Sequence, residues 1–284
     1  MKLSAEELEQ GQLESARLAE AVRTFQDTGL VVLENAYDRD FIAKVRAAYE
    51  AELDRFLAAR GGLAALEGRT FGKNHIGFFP PLTLPLADAR IAAHPVAVQI
   101  MKELLGPGLQ CSFYHTNTAF PGSEYQPIHR DSSPLFGTEM SVPHPPVSLV
   151  LNVPLCDFTE ENGSTEFWPG THLIVDSLSE EANRLEARAA NLPSVRLNLP
   201  AGSFALRDLR CWHRGTPNRA DYPRAMFAIV YQRGWLASLS ITIPQSTWDS
   251  WPEAARRIFR KNRVVPDADH RPITWEEVDL AGYE

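Results

Sequence analysis

Two stretches of the chain decide how it folds: QCSFYHTNTAF at residues 110–120 and PVSLVLNVP at residues 146–154. Both are short, rich in β-branched or aromatic side chains, and bounded by Gly or Pro. Similar runs occupy residues 194–199, 203–206 and 225–231. Many short strands without helices between them are typical of an antiparallel sandwich or barrel. We therefore predict that the region from about residue 106 to about residue 240 is mainly β.

Helices are predicted on either side of this β region. Apolar residues recur about every 3.6 positions from Leu13 to Phe25 and again from Phe41 to Leu53. The apolar run at residues 30–33 is typical of a buried strand, and helix is predicted again near residues 251–260 and 274–280. The expected class is α+β, mainly β, in a single domain over residues 1–284. Its helical part extends to about residue 105, and a C-terminal extension begins at about residue 241.

The composition excludes several classes of protein. The chain has 284 residues, is 44% hydrophobic, and carries 28 Lys and Arg against 36 Asp and Glu, a formal charge of −8. The apolar fraction rules out disorder, and the acidic balance argues against nucleic acid or an anionic membrane as a partner. We expect no membrane span and no signal or transit peptide, because no apolar run approaches roughly 20 residues and the start is acidic and amphipathic. The scattered Cys111, Cys156 and Cys211 predict reduced core thiols in a cytoplasmic protein.

The sequence QPIHRD at residues 126–131 contains His129 and Asp131, the only His-x-Asp/Glu pair of the chain. On an extended backbone, residues i and i+2 point the same way, so both side chains can reach one metal ion. A chain of this composition contains roughly one such pair by chance. A surface histidine beside a solvated aspartate is therefore the alternative interpretation.

His213 is the best-placed candidate for a third ligand, because it follows a predicted strand and opens the turn-rich stretch HRGTPN at residues 213–218. Two imidazoles and one carboxylate form the facial triad that suits non-haem iron(II) and leaves three adjacent coordination positions open. Arg224, which opens the next predicted strand, can present a planar fork to the carboxylate of an anionic cosubstrate. Alternatively, His213 and Arg224 are ordinary residues at strand ends.

Four stretches in this order resemble the phytanoyl-CoA dioxygenase family of iron(II)- and 2-oxoglutarate-dependent oxygenases. They are YHTN at 114–117, QPIHRD at 126–131, ENGSTEFWPGTH at 161–172, and HRGTPN at 213–218 followed by Arg224. The resemblance implies a double-stranded β-helix, the jelly-roll shared with cupins, with N-terminal and flanking helices. It also implies that His129, Asp131 and His213 bind Fe(II) and that Arg224 binds the distal carboxylate of 2-oxoglutarate.

Further residues of the cosubstrate site follow from the same resemblance. In relatives that act on natural products, a Gln three positions before the first ligand and a Thr contact 2-oxoglutarate, and Gln126 and Thr165 match them. Asn117, on a predicted strand, either hydrogen-bonds the cosubstrate or substrate or belongs to an internal polar network. Radical halogenases of this fold have Ala or Gly in place of the metal carboxylate. Because Asp131 is present, oxygenation or dehydrogenation is expected.

The predicted function is oxidation of an unactivated C–H bond of a small organic molecule in secondary metabolism, with O2 consumed and succinate and CO2 released. The alternatives are an acyl-CoA hydroxylase of the phytanoyl-CoA type, a cupin-like metalloenzyme that needs no 2-oxoglutarate, and a non-catalytic ligand-binding barrel. No Lys/Arg cluster for the phosphates of CoA is evident near the predicted site. Relatives of the natural-product kind are often homodimers, and residues 238–284 are the segment expected to serve such contacts.

The remaining candidate residues are predicted either to surround the substrate or to have structural roles. The irregular stretch at residues 132–146 is typical of an active-site lid, with Phe136, Met140 and His144 expected to face the substrate. An apolar wall for the substrate is expected from Phe71, Phe78, Phe79 and Tyr114. Structural roles are predicted for His172, Trp168 and Trp212, with Trp212 alternatively shielding the metal, and surface positions for His75, His94 and His270.

Overall fold

The computed structural model describes residues 1–66, 72–176 and 184–280. Phe71 and the last four residues of the predicted C-terminal extension lie outside these ranges. The strands, numbered along the chain, are β1 (Leu30–Leu33), β2 (His75–Phe78), β3 (Gln110–Ala119), β4 (Ser148–Pro154), β5 (Glu166–Phe167), β6 (Val195–Arg196), β7 (Phe204–Asp208), β8 (His213–Arg214), β9 (Arg224–Gln232), β10 (Thr242–Pro244) and β11 (Arg263–Val265). The α-helices are α1 (Ala5–Gln10), α2 (Ser15–Thr28), α3 (Arg39–Ala58), α4 (Ala89–Ala92), α5 (Pro95–Leu105), α6 (Leu185–Ala189), α7 (Gln245–Ser250), α8 (Glu253–Phe259) and α9 (Trp275–Leu280).

Two antiparallel sheets form the jelly-roll. The larger has the strand order β1–β7–β4–β9–β3–β2, and the smaller has the order β6–β5–β8. An isolated antiparallel bridge between His129 and His213 adds the segment around His129 to the edge of the smaller sheet. β10 and β11 form a separate parallel pair. The predicted class, α+β with mainly antiparallel sheet and with N-terminal and flanking helices, is confirmed.

Helices cover one face of the larger sheet and form the main core with it. Tyr49 of α3 stacks on Phe78 of β2, and Phe259 of α8 packs against Tyr114 of β3. Side chains alternate across a strand, so Tyr114 points to the helices and His115 points to the opposite face, toward the smaller sheet. The prediction that Phe78 and Tyr114 form a substrate wall is therefore wrong, because both side chains belong to the helix-covered core.

Capping residues fix the start of α3 and the end of α2. α3 starts after Asp38, whose carboxylate accepts a hydrogen bond from the Phe41 amide at 3.0 Å. α2 stops at Gly29, which has a φ of 77°, and a Cβ there would lie 2.1 Å from the sulfur of Cys211. Cys211 is buried, as are Cys111 and Cys156, which confirms their predicted core positions. None of the helices in the described ranges combines the length and apolar character needed to cross a bilayer.

Two of the three histidines predicted at the surface are buried, so that prediction is wrong for them. His75 is 6% exposed and His94 is 5% exposed, while His270 is half-buried. The Nε2–H of His94 donates to the Ala36 carbonyl at 3.1 Å, and its ring packs edge-on against Tyr37. The Nε2 of His270 accepts from the Leu82 amide at 3.1 Å. Packing partners this distant in sequence determine burial, and sequence spacing does not reveal them.

Burial of His94 makes the stability of the protein pH-dependent. Burial lowers the pKa of His94 to about 4, and the hydrogen bond to Ala36 only partly offsets this effect. The unfolded chain takes up the proton first, near pH 6.5, so stability is lost as the pH falls from about 6.5 toward 4. We expect wild type to lose about 2 kcal/mol more than His94→Gln between pH 7 and pH 5, because glutamine keeps an N–H donor but does not titrate. Urea unfolding at both pH values measures this difference, and equal losses in the two proteins would contradict it.

Candidate metal centre

The structure brings the two histidines and the aspartate of the predicted triad together. The Nε2 atoms of His129 and His213 lie 3.9 Å and 3.6 Å from Oδ1 of Asp131. One potential ligand atom from each of the three residues lies within 4.8 Å of the others. Two imidazole nitrogens and one carboxylate oxygen at these separations fit a single divalent ion, and this donor set suits non-haem iron(II).

Backbone pairing between two segments fixes the histidines. The amide of His129 donates to the carbonyl of His213 at 3.0 Å, and the amide of His213 donates back to the carbonyl of His129 at 2.9 Å. Residues paired in this way present their side chains on the same face of a sheet. Asp131 follows two residues after His129, and its amide donates to the Leu209 carbonyl at 2.9 Å. The i, i+2 spacing read from the sequence therefore places both side chains beside His213.

Each histidine of the triad uses its Nδ1 in the same way. The Nδ1–H of His129 donates to the Pro127 carbonyl at 2.9 Å, and that of His213 donates to the Cys211 carbonyl at 3.1 Å. This arrangement orients each ring and leaves Nε2 as the unprotonated nitrogen, the form that binds metal ions. Burial lowers the pKa of His213 well below its ordinary value, and the positive charge of Arg207 lowers it further. His213 is therefore neutral at physiological pH.

Arg207 is a residue of the site that the sequence analysis missed. It lies in β7, is 5% exposed, and donates from Nη2 to Oδ2 of Asp131 at 2.5 Å. Its Nη1 lies 3.3 Å from Nδ1 of His213. Burial raises the pKa of Asp131, but the charge of Arg207, with smaller contributions from the two nearby imidazoles, outweighs this effect and holds the pKa below its ordinary range. The sequence feature that could have indicated this role is an arginine within the short, mainly apolar stretch that forms β7.

Arg224 is a buried cation without a carboxylate partner among the described residues. It opens β9 opposite Ala119 and is 3% exposed, and its Nε has no hydrogen-bond partner. Its guanidinium carbon lies 4.7 Å from the ring centre of Phe158. Burial lowers the pKa of Arg224 to about 10, the nearby Cys156 partly offsets this, and Arg196 lowers it further. A buried charge left without a partner is costly, so this position suits an anionic ligand.

Gln126 and Thr165 lie on either side of Gly215. The Gln126 side-chain oxygen accepts from the Gly215 amide at 2.7 Å. The strand pairing of Glu166 with Arg214 places Thr165, one residue earlier, beside Gly215. Thr165 is half-buried, and its carbonyl accepts from the Leu197 amide at 2.9 Å. Both predicted cosubstrate residues therefore lie beside Gly215, the residue that directly follows the strand carrying His213.

Asn117 shares the inward face of the larger sheet with Arg224. It pairs with Met226, and Ala119, two residues further along β3, pairs with Arg224. The imidazole of His115, two residues earlier, contacts Phe79 at a centroid distance of 4.9 Å. The Nε2 of this buried imidazole has no hydrogen-bond partner. Among the described residues of the predicted apolar wall, Phe79 lies on this side of the sheet.

His75 is a second residue that the sequence analysis missed. Its Nε2–H donates to the Glu124 carbonyl at 2.7 Å, and a Cβ on Gly215 would lie 2.6 Å from its ring. Burial lowers the pKa of His75 to about 4, the bond to Glu124 partly offsets this, and the charge of Arg224 and the nearby ring of His129 lower it further. His75 thus lies within electrostatic reach of both the metal ligand and the buried arginine, although nothing in its sequence context suggests it.

The stretch at residues 132–146 is irregular, as predicted, apart from one 3₁₀ turn at Gly137–Glu139. Phe136, Met140 and His144, the residues predicted to face the substrate, line a small cleft together with Arg210 and His172. The ring of His144 accepts from the Leu135 amide at 2.9 Å, and the carbonyl of His144 accepts from Arg210 at 2.8 Å. This loop is therefore anchored on the arginine that follows β7.

The other structural interpretations are confirmed. The Nε2–H of His172 donates to the Gln26 carbonyl at 3.0 Å, so this histidine joins a loop to the end of α2. Trp168 and Trp212 pack with Ile128 in a small core cluster. Trp212 precedes His213 and Ile128 precedes His129, so this cluster lies on the opposite face of the smaller sheet from the metal ligands.

A jelly-roll with a His-x-Asp pair, a distant histidine and a buried arginine defines a class of non-haem metalloenzymes. The phytanoyl-CoA dioxygenase (PhyH) family profile matches residues 25–226, and the chain belongs to this family of oxygenases. Similar curated proteins include the dioxygenase af480 of Aspergillus fumigatus, 31% identical over 52% of this chain and 46% of its own length. Another is the dioxygenase andF of Emericella variicolor, 29% identical over 51% of this chain and 47% of its own. The chain thus spans about half the length of these relatives.

Solved structures of similar fold include two enzymes of nogalamycin biosynthesis. One is the epimerase SnoN in complex with Fe3+, alpha ketoglutarate and nogalamycin RO, at a TM-score of 0.57 and 24% identity over 78% of this chain and 85% of that one. Another is the carbocyclase SnoK, at a TM-score of 0.56 and 18% identity; the match covers 78% of this chain and 84% of SnoK. AviO1 from Streptomyces viridochromogenes Tue57 matches at a TM-score of 0.57 and 18% identity; the match covers 79% of this chain and 99% of AviO1. At these identities the likeness concerns the fold.

Proposed function

We propose that the protein is an Fe(II)- and 2-oxoglutarate-dependent dioxygenase that oxidises an unactivated C–H bond of a small organic molecule. The observation that carries this proposal is the pairing, within one jelly-roll, of the His129, Asp131 and His213 cluster with the buried and unpaired Arg224. A metal site alone fits many metalloenzymes. A buried cation that needs an anionic partner beside it fits an enzyme whose cosubstrate is a dicarboxylate.

In this proposal, the cluster of two histidines and one aspartate holds the iron, and three adjacent coordination positions stay open. Bound iron would supply the redox chemistry that couples O2 and 2-oxoglutarate to substrate oxidation, with succinate and CO2 as coproducts. Arg224 would bind the distal carboxylate of 2-oxoglutarate, and its planar guanidinium allows two parallel N–H donors. Gln126, Thr165 and Asn117 would complete the cosubstrate site.

His75 joins this proposed site on electrostatic grounds. Because its buried ring stays neutral at physiological pH, it adds no charge near the metal ligand His129 or near Arg224. A neutral imidazole there keeps Arg224 as the cation that faces the distal carboxylate. The Glu124 carbonyl accepts from Nε2 of His75, which leaves Nδ1 as the acceptor nitrogen of this ring.

The substrate we propose is a free small molecule of secondary metabolism. Support comes from the similar dioxygenases of Aspergillus and Emericella and from the nogalamycin-biosynthesis enzymes that share the fold. The family name points to an acyl-CoA thioester as the second candidate. The net charge of −8 disfavours a polyanionic CoA ester.

Turnover of 2-oxoglutarate against a panel of metabolites tests the proposal. The panel contains free natural-product scaffolds in one arm and acyl-CoA thioesters in the other, with product masses and succinate measured in parallel. We expect succinate and an oxidised scaffold only when Fe(II), O2 and 2-oxoglutarate are all present. Oxidation of a panel member without 2-oxoglutarate would contradict the proposal and favour a cupin-like enzyme, and preference for the thioesters would favour the acyl-CoA hydroxylase.

A further inference from the structure

The two oxygens of Asp131 lie in different surroundings. Oδ1 faces the Nε2 atoms of His213 and His129, at 3.6 Å and 3.9 Å. Oδ2 accepts from Nη2 of Arg207 at 2.5 Å. A carboxylate can bind a metal ion through one oxygen or through both. With Oδ2 engaged by a guanidinium, only Oδ1 remains for an ion held by the two imidazoles.

The contact between Arg207 and Asp131 is fixed by backbone pairing on both sides. Arg207 lies in β7 between β1 and β4, where it pairs with Leu30 and with Val150. The amide of Asp131 donates to the carbonyl of Leu209, only two residues beyond Arg207. Neither side chain therefore needs a mobile segment to reach the other, and their relative position is set by the sheet.

Loss of this contact would cost Arg207 more than Asp131, because the guanidinium is buried whereas the carboxylate is partly exposed to water. The side chain of Arg207 is 6% exposed, whereas that of Asp131 is 36% exposed. Asp131 is the carboxylate within ion-pair distance of Arg207 among the described residues. Since a buried guanidinium without a partner is costly, the arginine favours keeping Oδ2 in place when Oδ1 binds an ion.

We infer that Arg207 is a positioning residue that holds Asp131 as a one-oxygen ligand and so keeps a coordination position open on the metal. This inference rests on the metal site of the proposed function. A facial triad with one-oxygen carboxylate coordination leaves about three of six positions free, enough for a chelating 2-oxo acid and O2. Coordination through both oxygens would leave about two, and the chelating cosubstrate would then compete with O2 or with Oδ2.

The test counts the water molecules on Mn2+ bound to the protein, using the EPR line broadening caused by 17O-enriched water. We expect about three waters in wild type and about two in Arg207→Met, where Oδ2 is free to bind the ion. Arg207→Gln is the second variant. The introduced glutamine keeps polar character but is too short to reach Oδ2 of Asp131, so about two waters are expected in this variant as well. Arg210→Met is the matched control, since Arg210 is an equally buried arginine that pairs with Asp208 instead, and about three waters are expected.

The affinity of the Mn2+-loaded proteins for 2-oxoglutarate gives a second readout. We expect it to fall about 10- to 100-fold in Arg207→Met and to stay within about 2-fold of wild type in Arg210→Met. Two waters in wild type, three waters in a folded Arg207 variant, or loss of Mn2+ binding by that variant would each overturn the inference. Failure of wild type itself to bind Mn2+ would instead overturn the proposed metal function.

Discussion

Replacing Asp131 with alanine is expected to lower succinate formation at least about 1000-fold, which corresponds to about 4 kcal/mol of transition-state stabilisation. Asp131 provides the one anionic ligand of the cluster, and its Oδ1 lies within 4 Å of both imidazole nitrogens. Removal of this oxygen leaves two neutral donors, which bind iron(II) weakly. The assay measures 2-oxoglutarate consumption and succinate at saturating Fe(II) and cosubstrate.

A control separates loss of the metal from loss of the fold in this variant. Asp131→Ala also removes the partner of the buried Arg207, so some loss of thermal stability is expected. Asp157→Ala removes an aspartate that pairs with Arg39 on the exposed surface, and we expect wild-type turnover from it. Activity is compared at a temperature where circular dichroism shows all three proteins folded. Wild-type turnover by Asp131→Ala would show that the triad is wrongly assigned.

Replacing Arg224 with methionine is expected to raise the KM for 2-oxoglutarate about 100-fold, with a smaller effect on kcat. Methionine keeps much of the side-chain length but removes the charge and the donors that would face the distal carboxylate. Loss of one partner of a buried charge pair costs about 2–5 kcal/mol, which corresponds to a change in affinity of roughly 30- to 4000-fold. Steady-state kinetics with 2-oxoglutarate as the varied cosubstrate measure the effect.

The same substitution is expected to stabilise the protein when no anion is bound. Arg224 is buried, its Nε has no hydrogen-bond partner, and its charge is not paired with a carboxylate in the described chain. Methionine removes this unpaired charge, so the melting temperature should rise in the absence of 2-oxoglutarate and should no longer respond to its addition. Arg46→Met removes an arginine paired with Glu50 on α3 and should leave the KM unchanged. An unchanged KM in Arg224→Met would place the anchor elsewhere.

The parts of this site that the sequence predicts are those that depend on local geometry. His129 and Asp131 are two residues apart on an extended segment, so their shared direction follows from strand geometry alone. His213 and Arg224 were candidates from their strand and turn context, and the resemblance to the family then implied their roles. The α+β class followed from the 3.6-residue periodicity of the N-terminal part and from the short apolar runs with turn residues that follow it.

The parts that the sequence did not predict depend on how the two sheets meet. Arg207 contacts Asp131 only because β7 lies in the larger sheet opposite the segment that carries the ligands. Phe78 and Tyr114 were assigned to the wrong side because the face of a residue depends on strand register. The burial of His75 and His94 likewise follows from partners far away in the chain.

The most direct test of the central claim is an anaerobic titration of 2-oxoglutarate into the Fe(II)-loaded protein, followed by calorimetry and by the visible charge-transfer absorption of the chelate. The claim is that one site combines a facial iron triad with an arginine anchor for a dicarboxylate. We predict saturable binding of one 2-oxoglutarate per chain that requires Fe(II), is lost in Asp131→Ala and is weakened about 100-fold in Arg224→Met. Absence of saturable binding, or binding that is unaffected by removal of the metal and by both substitutions, would contradict the claim.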